Sequence, residues 1–419
     1  MRSGSASFML RALKYPNYRL FFGGQIVSLT GTWISMTATS WLVYRLTGSA
    51  MLLGIIGFAS QVPSFLVTPF AGILVDRWNR RHLLIATQTA SMLQSFALAA
   101  LTLTGTITIP RLIALSVVQA VVNAFDMPTR QSFVVALIED KRDLGNAIAL
   151  NSSMFNAARL VGPTLAGAII AVSSEGWCFL LDGVSFLAVI GSLLAMRIAP
   201  VARVARTDIS PLMQLKEGWV YAYSHPAIRA VITLVAVTCL LGVPYSILMP
   251  VFAATILRGG PDTLGFLMAA TGGGALLGAL HLAGRRSTAG LTKTIGVATA
   301  VFGVGLTAFA FSRVLWLSIV FLVVASFGFM VQVASSNTLL QTIVEDSKRG
   351  RVMSFFLMAF FGTAPFGSLL AGWLSDRVGA PWTVAASGVC CVAAASWFWR
   401  SVSSIEVAIA PAFARPDLG

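Results

Sequence analysis

Charge is scarce in this chain. Only 11% of its 419 residues are Asp, Glu, Lys or Arg and only 15 are acidic, against roughly a quarter charged in an ordinary soluble domain. With 57% apolar residues, that composition excludes a soluble protein. Histidine is scarcer: His82, His225 and His281 are scattered. No zinc-protease, phosphate-loop or nucleophile-elbow pattern occurs, so no catalytic or ATP-hydrolysing constellation is indicated and the chain does not read as an enzyme. Cys178, Cys239, Cys390 and Cys391 fall in apolar runs without paired-ligand spacing. A disulfide framework and a zinc site are thereby excluded, leaving core thiols. No cofactor and no metal is implied.

What the chain does have is long apolar runs. A membrane-crossing helix needs about 20 apolar residues, and runs punctuated by Gly, Pro and charge predict twelve spans near 19–45, 49–75, 82–104, 111–136, 144–171, 177–197, 227–257, 262–284, 291–311, 315–344, 352–374 and 381–400. The net charge of +14 would suggest nucleic acid in a soluble chain; here its placement matters more. With loops assigned alternately to two sides, 22 of the 29 basic residues share the side of the N-terminus, five take the other, and Arg130 and Arg159 fall within spans. That bias predicts both termini in the cytoplasm of a bacterial-type inner membrane. Nucleic acid is not an expected partner.

The polar interval 199–226, with Arg203, Arg206, Asp208, Lys216 and Glu217, divides the chain into six-span lobes at 1–198 and 227–402, followed by a cytoplasmic tail at 403–419. The halves repeat. Val135-Ala-Leu-Ile-Glu139-Asp140-Lys141-Arg142 aligns with Gln341-Thr-Ile-Val-Glu345-Asp346-Ser347-Lys348 at an offset of 206, and Leu165-Ala-Gly167 with Leu370-Ala-Gly372 at 205. A doubled six-helix unit suits transport, because two similar bundles can rock about a site between them. A non-transporting membrane sensor or scaffold is the alternative.

Several polar residues sit at helical spacing inside these spans. Ser116, Gln119, Asn123, Asp126 and Arg130 advance by 3, 4, 3 and 4 residues and share one face of the fourth span. An ionisable group at membrane depth costs about 2.5–3.5 kcal/mol or more, which makes Asp126 and Arg130 functional candidates. Separated by four residues, they can pair. The pair suits either proton coupling or a static link between packed helices. Ser152, Asn156, Arg159 and Pro163 repeat the pattern on the fifth span, and Arg159 is expected to seek Asp126 or Asp182, the two carboxylates placed within the membrane. Gly162-Pro163 and Gly167 suit close helix contact and a kink, at a moving interface or in passive packing. Gly274 and Gly278 make a G-x-x-x-G contact face.

After the second span comes Gly72-Ile-Leu-Val-Asp76-Arg77-Trp78-Asn79-Arg80-Arg81, a dense charge cluster in a short loop. Asp76 would accept charge-assisted hydrogen bonds or face a helix N-terminus, and the arginines would hold helix C-termini or acidic partners, a latch made in one conformation and broken in another. Plain positive-inside anchoring is the competing reading. This stretch resembles the loop motif G-x-x-x-D-R-x-G-R-[RK] of the major facilitator superfamily, matched at Gly72, Asp76, Arg77, Arg80 and Arg81, with Asn79 in place of Gly. The departure is mild, because Asn also tolerates the left-handed backbone region. In the second half, Gly278 to Arg286 keeps the glycine and basic pair without an Asp. Gly372-Trp-Leu-Ser-Asp376-Arg377 looks like a further copy, but on the opposite side, and receives no latch role.

Pro128-Thr-Arg130-Gln131 and Asn156-Ala-Ala-Arg159-Leu-Val-Gly162-Pro163-Thr-Leu-Ala-Gly167 resemble the branch containing enterobactin-type siderophore exporters and macrolide efflux pumps. The likeness covers nearly the whole chain. It implies an all-α fold of twelve transmembrane helices in two lobes, with a central cavity lined by helices one, four, seven and ten. Gln25, Thr32, Gln119, Asn123, Asn156, Tyr245, Gln332, Ser336 and Asn337 are the expected cavity residues, and the repeat sets Gln332 opposite Asp126 and Ser336 opposite Arg130. Ser116 stands where many antiporters have an Arg, so the resemblance does not lend that residue to this chain. The expected function is alternating-access export of a hydrophobic or amphipathic small molecule by a monomer, coupled to protons through Asp126, with Arg130 or Arg159 as charge partner. Asp182 completes the expected charge network. An uncoupled facilitator or lipid flippase of the same fold is the rival.

Overall fold

The computed structural model describes residues 10–75, 78–197, 221, 223–285 and 290–413, and every regular element among them is helical. After a short 3-10 turn at Arg11–Lys14, the first half contains α1 (Pro16–Thr47), α2 (Ala50–Ala59), α3 (Val62–Val75), α4 (Arg80–Leu103), α5 (Ile109–Ala136), α6 (Leu144–Val172) and α7 (Glu175–Ala195). The second half has α8 (Pro226–Val237), an irregular helical continuation to Ile256, then α9 (Pro261–Ala283), α10 (Leu291–Phe311), α11 (Leu315–Ile343), α12 (Asp346–Val378) and α13 (Ala380–Phe413).

Among the described residues, eleven helical stretches are long and apolar enough to cross a membrane. The 32-residue α1 is long enough, but Gln25, Ser28, Thr30, Thr32, Ser35, Thr37, Thr39 and Ser40 make it more polar than the rest. Most of those hydroxyls are turned inward onto their own helix: Thr30, Thr32, Thr37 and Thr39 each donate to the carbonyl four residues back, at 2.8–3.1 Å. A polar helix thereby becomes tolerable where water is missing. Proline opens α1, and Gly48 ends it with φ +63°, donating its N–H to Tyr44 O. A residue with a Cβ would be strained in that conformation.

Two expected spans are broken. The segment 49–75 forms two helices, because Pro63 lacks the N–H that would continue the ladder and the chain turns at Ser60-Gln61. The seventh span is regular only to Val237. It continues as π-helix at Thr238–Gly242, 3-10 helix at Val243–Leu248 and π-helix again at Phe252–Ile256. Pro244 and Pro250 each remove a donor there, and the backbone changes register around them. At the other end, α13 continues to Phe413, with Val402 and Ile405 buried.

The helices divide into two compact units. Unit 1 comprises Met1–Gly48, Ile56–Val204 and Arg258–Ala269; unit 2 comprises Ser49–Ile55, Ala205–Leu257 and Ala270–Gly419. In unit 1, α1 packs on α6 and α7, α4 packs on α5 and α7, and α3 packs on α5. Gly24 and Gly31 let α1 close on α7, where added Cβ atoms would strike Ser192 and Ser185. Unit 2 is organised on α10, which packs on α11 and α13, while α12 packs on the irregular stretch after α8. Gly274 and Gly278 set α9 against the carbonyls of Val323 and Phe327 on α11, the contact face expected of their spacing.

The chain start is strapped to the turn between α5 and α6. Asp143 accepts from Tyr15 Oη at 2.9 Å and pairs with Lys14 Nζ at 2.6 Å and Arg11 Nε at 3.1 Å, while Ala12 N donates to Asn146. Hydrogen bonds from Lys14 and Tyr15 hold the Asp143 carboxyl below its usual range, and Asp143 in turn raises the Lys14 ammonium. Beside it, Arg142 lowers Asp140 to about 2.

Candidate functional site

The charged face expected on the fourth span is present on α5. Asp126 is 5% exposed, and its two oxygens have different surroundings. Oδ1 accepts from Thr87 Oγ1 at 2.8 Å and from Gln88 Nε2 at 2.7 Å, both on α4. Oδ2 lies 3.5 Å from Arg130 Nη2, one turn further along α5. At that separation the contact is electrostatic rather than a short hydrogen bond. Arg130 donates from Nη1 to Gln25 Oε1 of α1 at 3.2 Å. Three helices thus contribute to one polar chain, Thr87 and Gln88 to Asp126 to Arg130 to Gln25. Arg130 is its partly accessible member, with a side chain 24% exposed.

The α4 contribution was not anticipated from sequence. Thr87, Gln88, Ser91, Gln94 and Ser95 are all buried; two adjacent pairs, 87/88 and 94/95, flank Ser91 at three- and four-residue distances, so the five share one helix face as the α5 stripe does. Gln119 Nε2 donates to Ser91 Oγ and to Asn123 Oδ1, both at 3.0 Å, which extends the network along the two helices. Ser95 Oγ donates to Asp182 Oδ2 at 2.8 Å. One face of α4 therefore serves both carboxylates.

Asp182 itself is 4% exposed, on α7, and lies against the backbone of α1 at Gly31. Arg159 was expected to approach one of these carboxylates. Its guanidinium lies over the Trp33 ring, 5.7 Å from the centroid, a cation–π arrangement. Asn156 is buried and donates to Ser152 O at 2.9 Å. Thr32 is half-buried and Asn123 exposed.

Among the second-half residues expected on a cavity wall, burial is the common feature. Gln332 and Ser336 are wholly buried in unit 2, as is Ser335, and among the described residues Gln332 Oε1 and Nε2 and both serine hydroxyls find no hydrogen-bond partner. Their α11 positions match Asp126 and Arg130 in sequence but face inward. Tyr245 is 6% exposed in the irregular stretch, its hydroxyl 3.2 Å from Ser326 Oγ and its ring edge-on to Phe302. Asn337 is half-buried and accepts from Gln341 at 2.7 Å.

In the loop motif, Asp76 and Arg77 lie outside the described residues, as do Arg286 and the linker residues Arg203, Arg206, Asp208, Lys216 and Glu217. Gly72 is within α3, and Arg80 opens α4. Arg81 donates from Nε to Leu193 O at 2.8 Å and from Nη2 to Leu194 O at 2.9 Å. It therefore holds the C-terminus of α7, the use expected of an arginine in this loop. Asn79 does not use the left-handed region that Asn tolerates. Its φ of −68° and ψ of 115° are extended, and its Oδ1 accepts from Arg81 N and His82 N, capping α4.

Against known proteins, residues 9–410 match the family described as transmembrane secretion effector. The staphyloferrin A transporter of Staphylococcus aureus is 27% identical over 88% of this chain and 92% of its own length. The multidrug efflux pump Tap of Mycolicibacterium fortuitum is 28% identical over 83% and 87%, and macrolide efflux protein A of Streptococcus pyogenes 21% over 87% and 92%. Among solved structures, a bacterial homologue of the lysosomal transporter Spinster aligns with TM-score 0.73 at 15% identity, covering 94% of this chain and 98% of that one. The peptide transporter POT aligns at 0.75 and 10%, covering 94% and 95%. These likenesses show the fold. The chain belongs to the transmembrane secretion effector family and has the major facilitator fold.

Proposed function

We propose that this member of the transmembrane secretion effector family is a proton-coupled exporter of a hydrophobic or amphipathic small molecule, drug-like or siderophore-like, working by alternating access as a monomer. Multidrug and macrolide efflux among the relatives supports export. The bias of basic residues supports a bacterial inner-membrane topology with both termini cytoplasmic.

The observation that carries the coupling is the divided environment of Asp126. Neutral donors from α4 fix Oδ1, so the carboxyl stays in place whichever charge it carries. Oδ2 meets Arg130 across 3.5 Å and is the oxygen with room for a proton. Protonation there cancels the attraction for Arg130, which keeps its bond to Gln25 and becomes free to reorient. We assign one proton per cycle, because Asp182, which accepts from Ser95 Oγ through Oδ2 and leaves Oδ1 without a hydrogen-bond partner among the described residues, has no arginine paired with it there. Gln119, Asn123 and Thr32 are the neighbouring polar groups available to substrate.

The test uses purified protein in liposomes carrying an internal pH dye, challenged with macrolides, cationic drugs and carboxylate siderophores under an imposed pH gradient. Substrate-driven proton movement that disappears in Asp126→Asn supports the reading. Flux that ignores a collapsed gradient overturns coupling and favours the uncoupled facilitator.

A further inference from the structure

Where α4 ends and α5 begins, unit 1 has a groove made of residues the proposed coupling does not use. Its volume is about 570 Å³, and it is lined by Ala97 and Leu101 of α4, Thr106 of the turn, and Arg111, Ala114 and Leu115 of α5. That is the size of a small-molecule site. The hollow exists because Ala97 and Ala114 contribute only methyl groups to its walls. Gln94, buried on α4, donates to Leu115 O at 3.3 Å and ties the two helices together at this level.

The groove has one charged group, Arg111, in the first turn of α5. Its Nη1 donates to Thr106 O, which sets the guanidinium against the turn. The remaining guanidinium N–H groups have no acceptor among the described residues, and no described carboxylate lies within ion-pair distance of them. Glu175, at the start of α7 in the same unit, is already held by both Nε and Nη2 of Arg45.

Away from the turn the groove runs on into apolar surface. Leu93, Ala97 and Leu101 follow at four-residue steps along α4, and Arg111, Ala114, Leu115 and Val118 share one face of α5. Leu93 and Val118 are exposed. The polar stripes of the two helices, through Gln88, Ser91 and Ser95 on α4 and Gln119, Asn123 and Asp126 on α5, lie on other faces. Arg111 sits at the end of its span, at the level of the lipid headgroups, with the apolar groove on the hydrocarbon side of it. A free anion would use the arginine and leave the groove empty, and a neutral hydrocarbon would fill the groove and leave the arginine bare. An amphiphile with an anionic head uses both.

We propose that this groove binds an anionic phospholipid of the phosphatidylglycerol type, in the leaflet at the α4–α5 turn. Its phosphate, with no ammonium of its own to neutralise it, pairs with Arg111, and an acyl chain lies along Ala97, Leu101, Ala114 and Leu115. The site rests neither on proton coupling nor on the direction of transport.

Photo-crosslinking of the full-length protein tests it, in phosphatidylcholine nanodiscs carrying a small fraction of phosphatidylglycerol or phosphatidylcholine with a diazirine on one acyl chain. Labelled peptides are identified by mass spectrometry. The phosphatidylglycerol probe is expected to label residues 93–118 about fivefold more than the phosphatidylcholine probe, the weight of one basic residue facing an anionic lipid. Arg111→Gln should remove that preference. Ala114→Leu fills the groove with Arg111 intact and should lower labelling severalfold with both probes; Ala114 is exposed, so the longer side chain fits without rearrangement of the helices. Ala114→Ser, which leaves the groove open, should label as wild type does. Equal labelling by the two probes, or a preference that survives Arg111→Gln, overturns the headgroup contact, and labelling that ignores Ala114→Leu overturns the groove. Competition by inorganic phosphate would show an anion site without a lipid, and competition by a macrolide a drug site; either result overturns the lipid assignment.

Discussion

Replacing Asp126 separates its two jobs, because the side chain's oxygens are engaged by different groups. Asp126→Asn keeps an acceptor for Thr87 and Gln88 and loses only the attraction for Arg130. At 3.5 Å and an effective dielectric of about 20, that attraction is on the order of 5 kcal/mol before desolvation is counted. Arg130 is partly exposed and keeps Gln25, so the net loss should be only about 1–2 kcal/mol. Asp126→Ala also strands the Gln88 amide, adding about 1–3 kcal/mol. Thr87 loses less, since its hydroxyl also donates to Leu84 O at 3.0 Å. The expected total is about 2–5 kcal/mol.

Thermal unfolding in detergent should therefore rank wild type above Asp126→Asn and Asp126→Asn clearly above Asp126→Ala. Adding Gln88→Leu to Asp126→Ala should restore part of the loss by removing the stranded amide, a non-additivity expected of touching residues. Liposome assays should rank differently, with Asn and Ala equally unable to move protons. Equal stability of the Asn and Ala variants would refute the assigned hydrogen bonds. Coupled transport by a stable Asp126→Asn protein would refute the proton site.

Other substitutions test the surrounding frame. Arg81→Ala removes two charge-assisted bonds from the end of α7 and should cost about 1–2 kcal/mol, with Arg81→Lys recovering part of it in thermal unfolding. Arg45→Met strands Glu175, which is 2% exposed and bound through two hydrogen bonds. The expected loss is about 2 kcal/mol, below that of a fully buried pair because Arg45 is half-exposed; Arg45→Met with Glu175→Gln should be more stable than Arg45→Met alone. The N-terminal strap should respond to acid with a defined sign. Asp143 titrates below its usual value when folded, so its contribution is complete above about pH 4 and fades as pH falls through the lowered value. Lys14 titrates above its usual value, so its contribution is complete below about pH 10 and fades as pH rises further. Trypsin cleavage at Arg11 and Lys14 should stay slow at neutral pH and become fast there in Asp143→Asn.

Much of the fold was legible because membrane solvent simplifies the problem: each span must be apolar and helical, and punctuation by Gly, Pro and charge marks its ends. Irregular backbone was not legible from hydropathy, which stays high through Thr238–Ile256 whatever its hydrogen-bond register. Pro244 and Pro250 were the visible sign. In the polar network, the α5 stripe stood out because Asp126 and Arg130 are charged, and their pairing followed from spacing alone. The α4 stripe carries no charge and has the same period, so it was passed over, though a buried carboxylate needs donors from somewhere. Asn79 shows the opposite limit: the motif marked the position, but its function as a helix cap depends on a backbone angle that a motif does not encode.

Equal repeats have not kept equal chemistry, and this bears on mechanism. Asp126 and Gln332 are 206 residues apart and correspond, as do Arg130 and Ser336, yet the first pair is charged and mostly satisfied while the second is neutral, wholly buried and short of partners. A symmetric pair of rocking bundles needs only one of them to sense a proton. On the proposed coupling, the charge-sensitive element then lies in the first half of the chain alone. Asp126→Asn should abolish substrate-driven proton movement in liposomes, and Gln332→Leu, which removes two buried groups without partners, should leave it in place; loss of proton movement in both variants would show that the neutral half of the repeat takes part in coupling.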